Sequence, residues 1–309
     1  MFGKIRQFLL IGLLLLQANV IFTQVDDTTR FDGVITLDSF VLSAVRNGFN
    51  VDDFVRFVQE DTTFHQAFRN LRQVPYSSSA TVRMFNDEHL STGSYSNRTH
   101  QLLGESCRWM NYDLEVATGD FFDKNGDINY YTARMFAYIF MYRDTICNRQ
   151  MVVDNNAYTD SKLDERKEQL KTLIFDPGQP VDKIPLIKNK MEIFSPEMQP
   201  YYDYAITQKT YSTGVDCYVF SIEKKQDAVK GEDVVINELV TWFDKKSMQI
   251  VARHYSLSYF TRLFDFDVVM DVKLSTINGV QVPVSISYNG YWDIPARKPE
   301  IGSVQINIW

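Results

Sequence analysis

Apolar residues recur every third or fourth position near the front of this chain and every second position toward its end. Leu37, Phe40, Val41, Ala44 and Val45 fall on one helical face, so the spacing predicts a helix over Thr36–Arg46, with Gly48 as a left-handed cap. Asn50 heads a second helix carrying Phe54, Val55 and Val58, and Asp61 a third carrying Phe64, Ala67, Phe68 and Leu71. Pro75 stops the third. From Ser77 the texture changes to strands, over Ala80–Phe85, Gly93–Thr99 and Cys107–Tyr112. Asn125-Gly126 predicts a type I′ hairpin within Phe121–Tyr131. Thr132–Tyr142 and Ser161–Ile174 read as helices, the second with a charged, solvated face. The stretch 177–200 is rich in proline and reads as a boundary or a long functional loop, but not as a flexible linker, because it carries Ile184, Leu186, Ile187, Ile193 and Phe194.

Long strands fill the remainder: Tyr202–Tyr211, Val215–Glu223, Val234–Phe243, Met248–Tyr259, Leu263–Ser275, Val280–Tyr291 and Ser303–Trp309. Thr213-Gly214, Asp244-Lys245-Lys246 and Asn278-Gly279 supply turns. Phe264, Phe266, Val268, Met270 and Val272 oppose Asp265, Asp267 and Asp271, while Val280, Val282, Val284, Ile286 and Tyr288 oppose Gln281, Ser285, Ser287 and Asn289. Period-two alternation means one dry and one wet face. The expected fold class is α+β: a large curved antiparallel sheet, a half-barrel with helices on its concave face, preceded by short N-terminal helices. An outer-membrane barrel fits poorly, because Trp309 shares its face with Asn307 and Gln305 and the helical first half leaves too few strands.

The ends and totals add a compartment. Lys4 and Arg6, the apolar run Phe8–Leu16 and a more polar exit up to Gln24 have the layout of a secretory signal peptide. The run is shorter than the roughly 20 residues of a comfortable bilayer span, although an uncleaved anchor is the alternative. The expected organisation is a leader over 1–24 and one exported domain over 25–309, helical over 25–76, in a periplasmic or secreted location with no transmembrane segment in the mature chain. At 45% hydrophobic and 14% aromatic, the 309-residue chain can bury a substantial core. A net charge of −7 without a basic cluster argues against a nucleic-acid partner. Of the three cysteines, Cys107, Cys147 and Cys217, two can pair, and spacing does not choose among the pairs; buried free thiols are the other reading.

Chemistry-bearing motifs fail their context tests. His65, His89, His100 and His254 stand in no metal-binding spacing. No nucleophile elbow or phosphate-binding glycine loop occurs. Asp123, Asn125 and Asp127 alternate like a calcium loop, but Gly126 is misplaced and no glutamate follows at the twelfth position. Asp265 and Asp267 are a carboxylate pair of the kind any acidic strand face shows. Asn97-Arg98-Thr99 matches a glycosylation acceptor, a triplet common by chance. No catalytic residue, metal or cofactor is assigned. The aromatic load of 22 Phe, 17 Tyr and 4 Trp fits either a thick core or an apolar pocket on the concave face.

Tyr202-Asp-Tyr-Ala-Ile206, Thr213-Gly-Val-Asp-Cys-Tyr-Val219, Ile222, Leu239-Val-Thr-Trp-Phe-Asp-Lys-Lys246 and Val251-Ala-Arg253 form an order that resembles the periplasmic lipoprotein-sorting carriers, over roughly Tyr201–Tyr291. The resemblance implies an unclosed β-barrel with helices in its mouth and an apolar cavity for acyl chains. It carries over no individual ligand contact, and residues 77–190 match nothing in the family. The expected function is that of a non-enzymatic cell-envelope protein that binds a lipid-like or lipoprotein ligand, with Phe264, Phe266, Val268, Met270, Val282, Val284, Ile286 and Tyr288 as cavity candidates. The alternative is an interaction module with a filled core and an envelope protein as its partner.

Overall fold

The computed structural model describes residues 31–147, 174, 175, 177, 187–261, 265–293 and 298–309. The expected leader, nearly all of the helix expected over Ser161–Ile174, and Phe264 lie outside the described residues. The elements run β1 (Ile35–Leu37), α1 (Ser39–Arg46), α2 (Val51–Glu60), α3 (Thr63–Asn70), β2 (Tyr76–Phe85), β3 (Ser91–Leu103), β4 (Cys107–Gly119), α4 (Tyr131–Phe140), β5 (Ile146–Cys147) and a one-turn α5 (Lys188–Met191). Then come β6 (Tyr202–Thr210), β7 (Asp216–Lys224), β8 (Ile236–Asp244), β9 (Ile250–Phe260), β10 (Asp265–Ile277), β11 (Val280–Asp293) and β12 (Glu300–Ile308).

All twelve strands join one unclosed sheet in the order β1-β6-β7-β8-β9-β10-β11-β12-β2-β3-β4-β5. From β6 to β12 the strands follow chain order. The last strand then pairs with β2, so Ile306 faces Ala80 and Val304 faces Val82 across the join. The sheet is mixed and not purely antiparallel, because β1 lies parallel to β6. That strand replaces the first turn of the helix expected from Thr36. Asp38 explains the switch: its Oδ1 accepts from Val41 N–H at 2.8 Å to cap α1, and its Oδ2 accepts from Gln208 N–H at 2.7 Å to tie β1 to β6.

Asn50 caps α2 through Asp53 N–H, and Asn278 and Gly279 both take positive φ (49° and 82°), as a two-residue turn of the I′ type demands. The hairpin expected over Phe121–Tyr131 is instead a tight loop with a single bridge between Phe122 and Ile128. Asp123 Oδ1 accepts from the N–H groups of both Asn125 and Asp127, and this local side-chain closure competes successfully with strand pairing. Cys107 and Cys147 form a disulfide that fastens the two-residue edge strand β5 to β4. Cys217 is free and buried, and burial, then Asp244 and Asp216, pushes its thiol up to about 11.

The helices cover the apolar face of the sheet. Asn70 at the end of α3 donates to Gln281 O of β11 at 2.8 Å. Above β12, α4 has no N-terminal cap of its own. Glu300, a buried β12 carboxylate, accepts from Tyr131 N–H at 2.7 Å and Thr132 N–H at 3.0 Å. A carboxylate there satisfies two orphan donors and opposes the positive helix end.

Candidate functional site

The cross-strand register decides which side chains share the inner face. Met270 pairs with Tyr288 and Val272 with Ile286, which pair in turn with Val304 and Ile306. Phe266, Val268, Met270, Val282 and Ile286 are fully buried there, and Tyr288 is nearly so. Val284 is only partly buried. It occupies a β-bulge, since Lys273 pairs with Ser285 and Leu274 with Pro283, and the unpaired extra residue leaves the ladder's alternation.

Aromatic edges hold this layer together. Phe136 of α4 meets Tyr288 at 5.0 Å, Phe266 meets Trp292 at 5.0 Å, and Trp292 Nε1 donates to the Tyr288 hydroxyl at 2.6 Å. The Tyr288 ring folds back over Gly290, where a Cβ would lie 2.0 Å from its hydroxyl. Burial pushes the Tyr288 phenol well above its ordinary range, so it stays neutral and serves as a hydrogen-bonding hydrophobe.

The same face carries two buried guanidinium groups. Arg253 of β9, 7% exposed, lies over the Phe64 ring at 4.3 Å and donates from Nε to Thr241 Oγ1 at 3.0 Å; Asp61, between α2 and α3, faces it at 3.8 Å. Arg108 of β4, 6% exposed, stacks on Tyr142 at 4.4 Å and reaches Gln101 Oε1 at 3.3 Å. Gln101 also accepts from the Tyr142 hydroxyl at 2.7 Å and donates to the carbonyls of Leu71 and Val74. The Tyr76 hydroxyl, on the neighbouring strand, is buried without a hydrogen-bond partner. Four residues before Gln101 on β3, Asn97 is 4% exposed, so the folded chain hides the glycosylation triplet's acceptor.

The outer face is wet and carries its own order. Ser77 Oγ lies 2.7 Å from His100 Nδ1, and His100 Nε2 lies 2.5 Å from Asp113 Oδ2, a row of nucleophile, base and carboxylate drawn from β2, β3 and β4. Asp113 is presented by a second bulge, between Arg98 and Thr99 of its partner strand. The row has the connectivity of a hydrolytic triad, but the Ser77 N–H is taken by Trp309 O at 2.9 Å and so is not free to serve as an oxyanion donor. His254 bridges Asp271 at 2.8 Å and Glu238 at 3.6 Å. Asp267, half of the noted carboxylate pair, binds Lys230 at 2.7 Å.

Open depressions among the described residues include a cleft of about 580 Å³ bordered by Lys190, Glu232, Tyr259 and Phe260, and an outer groove of about 320 Å³ along β2, β11 and β12. Of the described cavity candidates, Tyr288 borders the outer groove, although its ring is buried on the inner face. Among the described residues no cluster of three or more His, Cys, Asp or Glu side chains is arranged to hold a metal ion, and no helix is long and apolar enough to cross a membrane.

No family model matches the chain, and no curated protein matches it. Among solved structures it is similar to a DUF1329 family protein from Desulfovibrio piger ATCC 29098, at 10% identity over 81% of this chain and 92% of that one with a TM-score of 0.23. It is also similar to a putative outer membrane lipoprotein-sorting protein domain from Vibrio parahaemolyticus, at 9% identity over 79% of this chain and 91% of that one with a TM-score of 0.24.

Sequence reasoning passed over Arg253 and Arg108. For Arg253 a signal existed: it stands on the same side of the β9 alternation as Tyr255 and Leu257, and a charge on a dry side needs an explanation. For the Ser77–His100–Asp113 row there was none, since only strand pairing brings the three together.

Proposed function

We propose that this is an exported, non-enzymatic protein of the cell envelope that takes a lipid-like ligand, the acyl chain of a lipid or lipoprotein, between its sheet and the helices above it. One observation carries the reading: Phe266, Val268, Met270, Val282, Ile286 and Tyr288 form a continuous apolar inner face covered by short, separately attached helices. Helices of eight and ten residues, as in α3 and α4, are not stable alone and depend on the surface beneath them. Such elements open locally at lower free energy than the strands and can yield to an alkyl chain of equal apolarity. The Cys107–Cys147 bridge supports export, because disulfides persist in oxidising compartments.

The near-complete burial of the same six side chains favours a second reading, a protein-interaction module with a permanently filled core. Mass spectrometry of the protein purified without detergent from its native compartment, followed by organic extraction, separates the two. A stoichiometric amphiphile, or uptake of added fatty-acyl probes, is expected. A ligand-free protein that takes up no probe leaves the interaction module.

A further inference from the structure

Arg108 is a buried cation whose described contacts are all neutral: the Gln101 amide oxygen and the face of Tyr142. No carboxylate pairs with it among the described residues. Beside it the Tyr76 hydroxyl, 5% exposed, has no partner. Both features are unfavourable in a closed protein. A lone buried charge costs several kcal/mol, and an unmade buried hydrogen bond costs about 1–3 kcal/mol. Positive charge even accumulates here: burial, and then the Arg108 charge, holds the Arg72 guanidinium below its ordinary value.

This corner continues the apolar face. Tyr76 and Gln101 form a cross-strand pair, as do Gln101 and Met110, and Ser78 of the same β2 face pairs with Ile308 of β12. The Ile286–Ile306–Ala80–Asn97 row lies four residues along β3 from Gln101, roughly 13 Å at about 3.3 Å each, so the part of the apolar face that adjoins this cationic, hydroxyl-bearing corner is Met110 and Ile308.

We propose that Arg108, with the Tyr76 hydroxyl beside it, binds the anionic oxygen group, a carboxylate or a phosphate, of an amphiphile whose alkyl chain runs across the inner face. A guanidinium offers two parallel N–H donors to such a group, and a phenol adds a third. The inference rests on the lipid-binding reading and sharpens it by giving the ligand a charge and an orientation.

The test is titration calorimetry on the full mature chain, disulfide intact, with dodecanoate, dodecyl phosphate, dodecanol and inorganic phosphate as probes. Dodecanoate or dodecyl phosphate is expected to bind at least tenfold more tightly than dodecanol, and the preferred one identifies the headgroup as carboxylate or phosphate. Arg108→Met is expected to abolish that preference while dodecanol binding persists. Tyr76→Phe, which removes only an unpartnered oxygen, is expected to weaken the anionic probes severalfold and to fold normally, which covers a failure of Arg108→Met to fold. Equal binding of dodecanol and the anions by the wild type overturns the headgroup site but leaves the lipid-binding reading standing. Inorganic phosphate binding as tightly as dodecyl phosphate overturns the amphiphile and leaves a bare anion site. Failure of every alkyl probe overturns both readings.

Discussion

Arg253 and Arg108 lie on one face of one sheet, similarly buried, each stacked on an aromatic ring, yet they are opposites electrostatically. Arg253 faces Asp61, and Thr241 takes its Nε. Arg108 meets an amide and a ring, with no opposing charge described. The first is a closed account: a cation from the sheet matched by a carboxylate from the helical layer, pinning α2 and α3 over β8 and β9. The second is an open one. Among the described residues, the inner face supplies a counter-charge at one end and none at the other.

The comparison breaks most visibly at Asp61. Replacing Asp61 with Ala removes the carboxylate that faces Arg253 and also the acceptor for Thr63 N–H and Oγ1. A loss of about 3–5 kcal/mol is expected, read from the urea midpoint at unchanged slope. Arg108→Met, by contrast, removes a charge that no carboxylate meets among the described residues, and is expected to leave stability unchanged or to raise it. If both substitutions cost the same, the asymmetry is not real.

The next effect tests how the open corner is held. The Cys107–Cys147 bridge lies next to Arg108 in β4 and closes a loop of 40 residues. Its reduction is expected to lower stability by about 2–4 kcal/mol. Hydrogen exchange should then accelerate first in β4 and β5, with β8 and β9 protected as before. Uniform acceleration across both ends would show that the two arginine environments belong to one cooperative unit.

Smaller again is the effect of Glu300, which caps α4 midway between the two. Glu300→Ala leaves Tyr131 N–H and Thr132 N–H without their acceptor and is expected to cost about 1–2 kcal/mol. Because α4 covers Tyr288, the variant should also admit alkyl probes faster than the wild type does. An unchanged uptake rate would mean that α4 is not the element that opens.

Most strands were legible in the sequence, because β10, β11 and β12 alternate strictly and Asn278-Gly279 fixes one turn outright. Two kinds of feature were not. Where a side chain satisfies backbone locally, as Asp123 and Asp38 do, it overrode the pattern and turned an expected hairpin into a loop and an expected helical turn into a strand. Where function depends on pairing between distant segments, period alone is silent. It places Arg108 on a strand but cannot say that Tyr76, 32 positions earlier, lies beside it. The cavity candidates on β10 and β11 were likewise read from alternation, which gives their common face but not the bulge that sets Val284 apart.

The smallest effect sits on the outer face and serves as a control on the inner one. Hydrogen bonding to Asp271, helped by its charge and that of Glu238 and opposed by burial, raises the His254 imidazole above its ordinary value. A group whose folded value is raised stabilises the protein fully at pH below its unfolded value of about 6.5 and loses that contribution as pH rises through the folded value. Stability should therefore fall slightly from pH 6 toward pH 8, and Asp271→Asn should flatten that slope. Since His254 pairs across β9 and β10 on the solvent side, neither change is expected to alter alkyl binding. An Asp271→Asn variant that lost binding along with its pH dependence would mean that the outer ladder sets the curvature of the inner face, and the two faces would then have to be treated as one device.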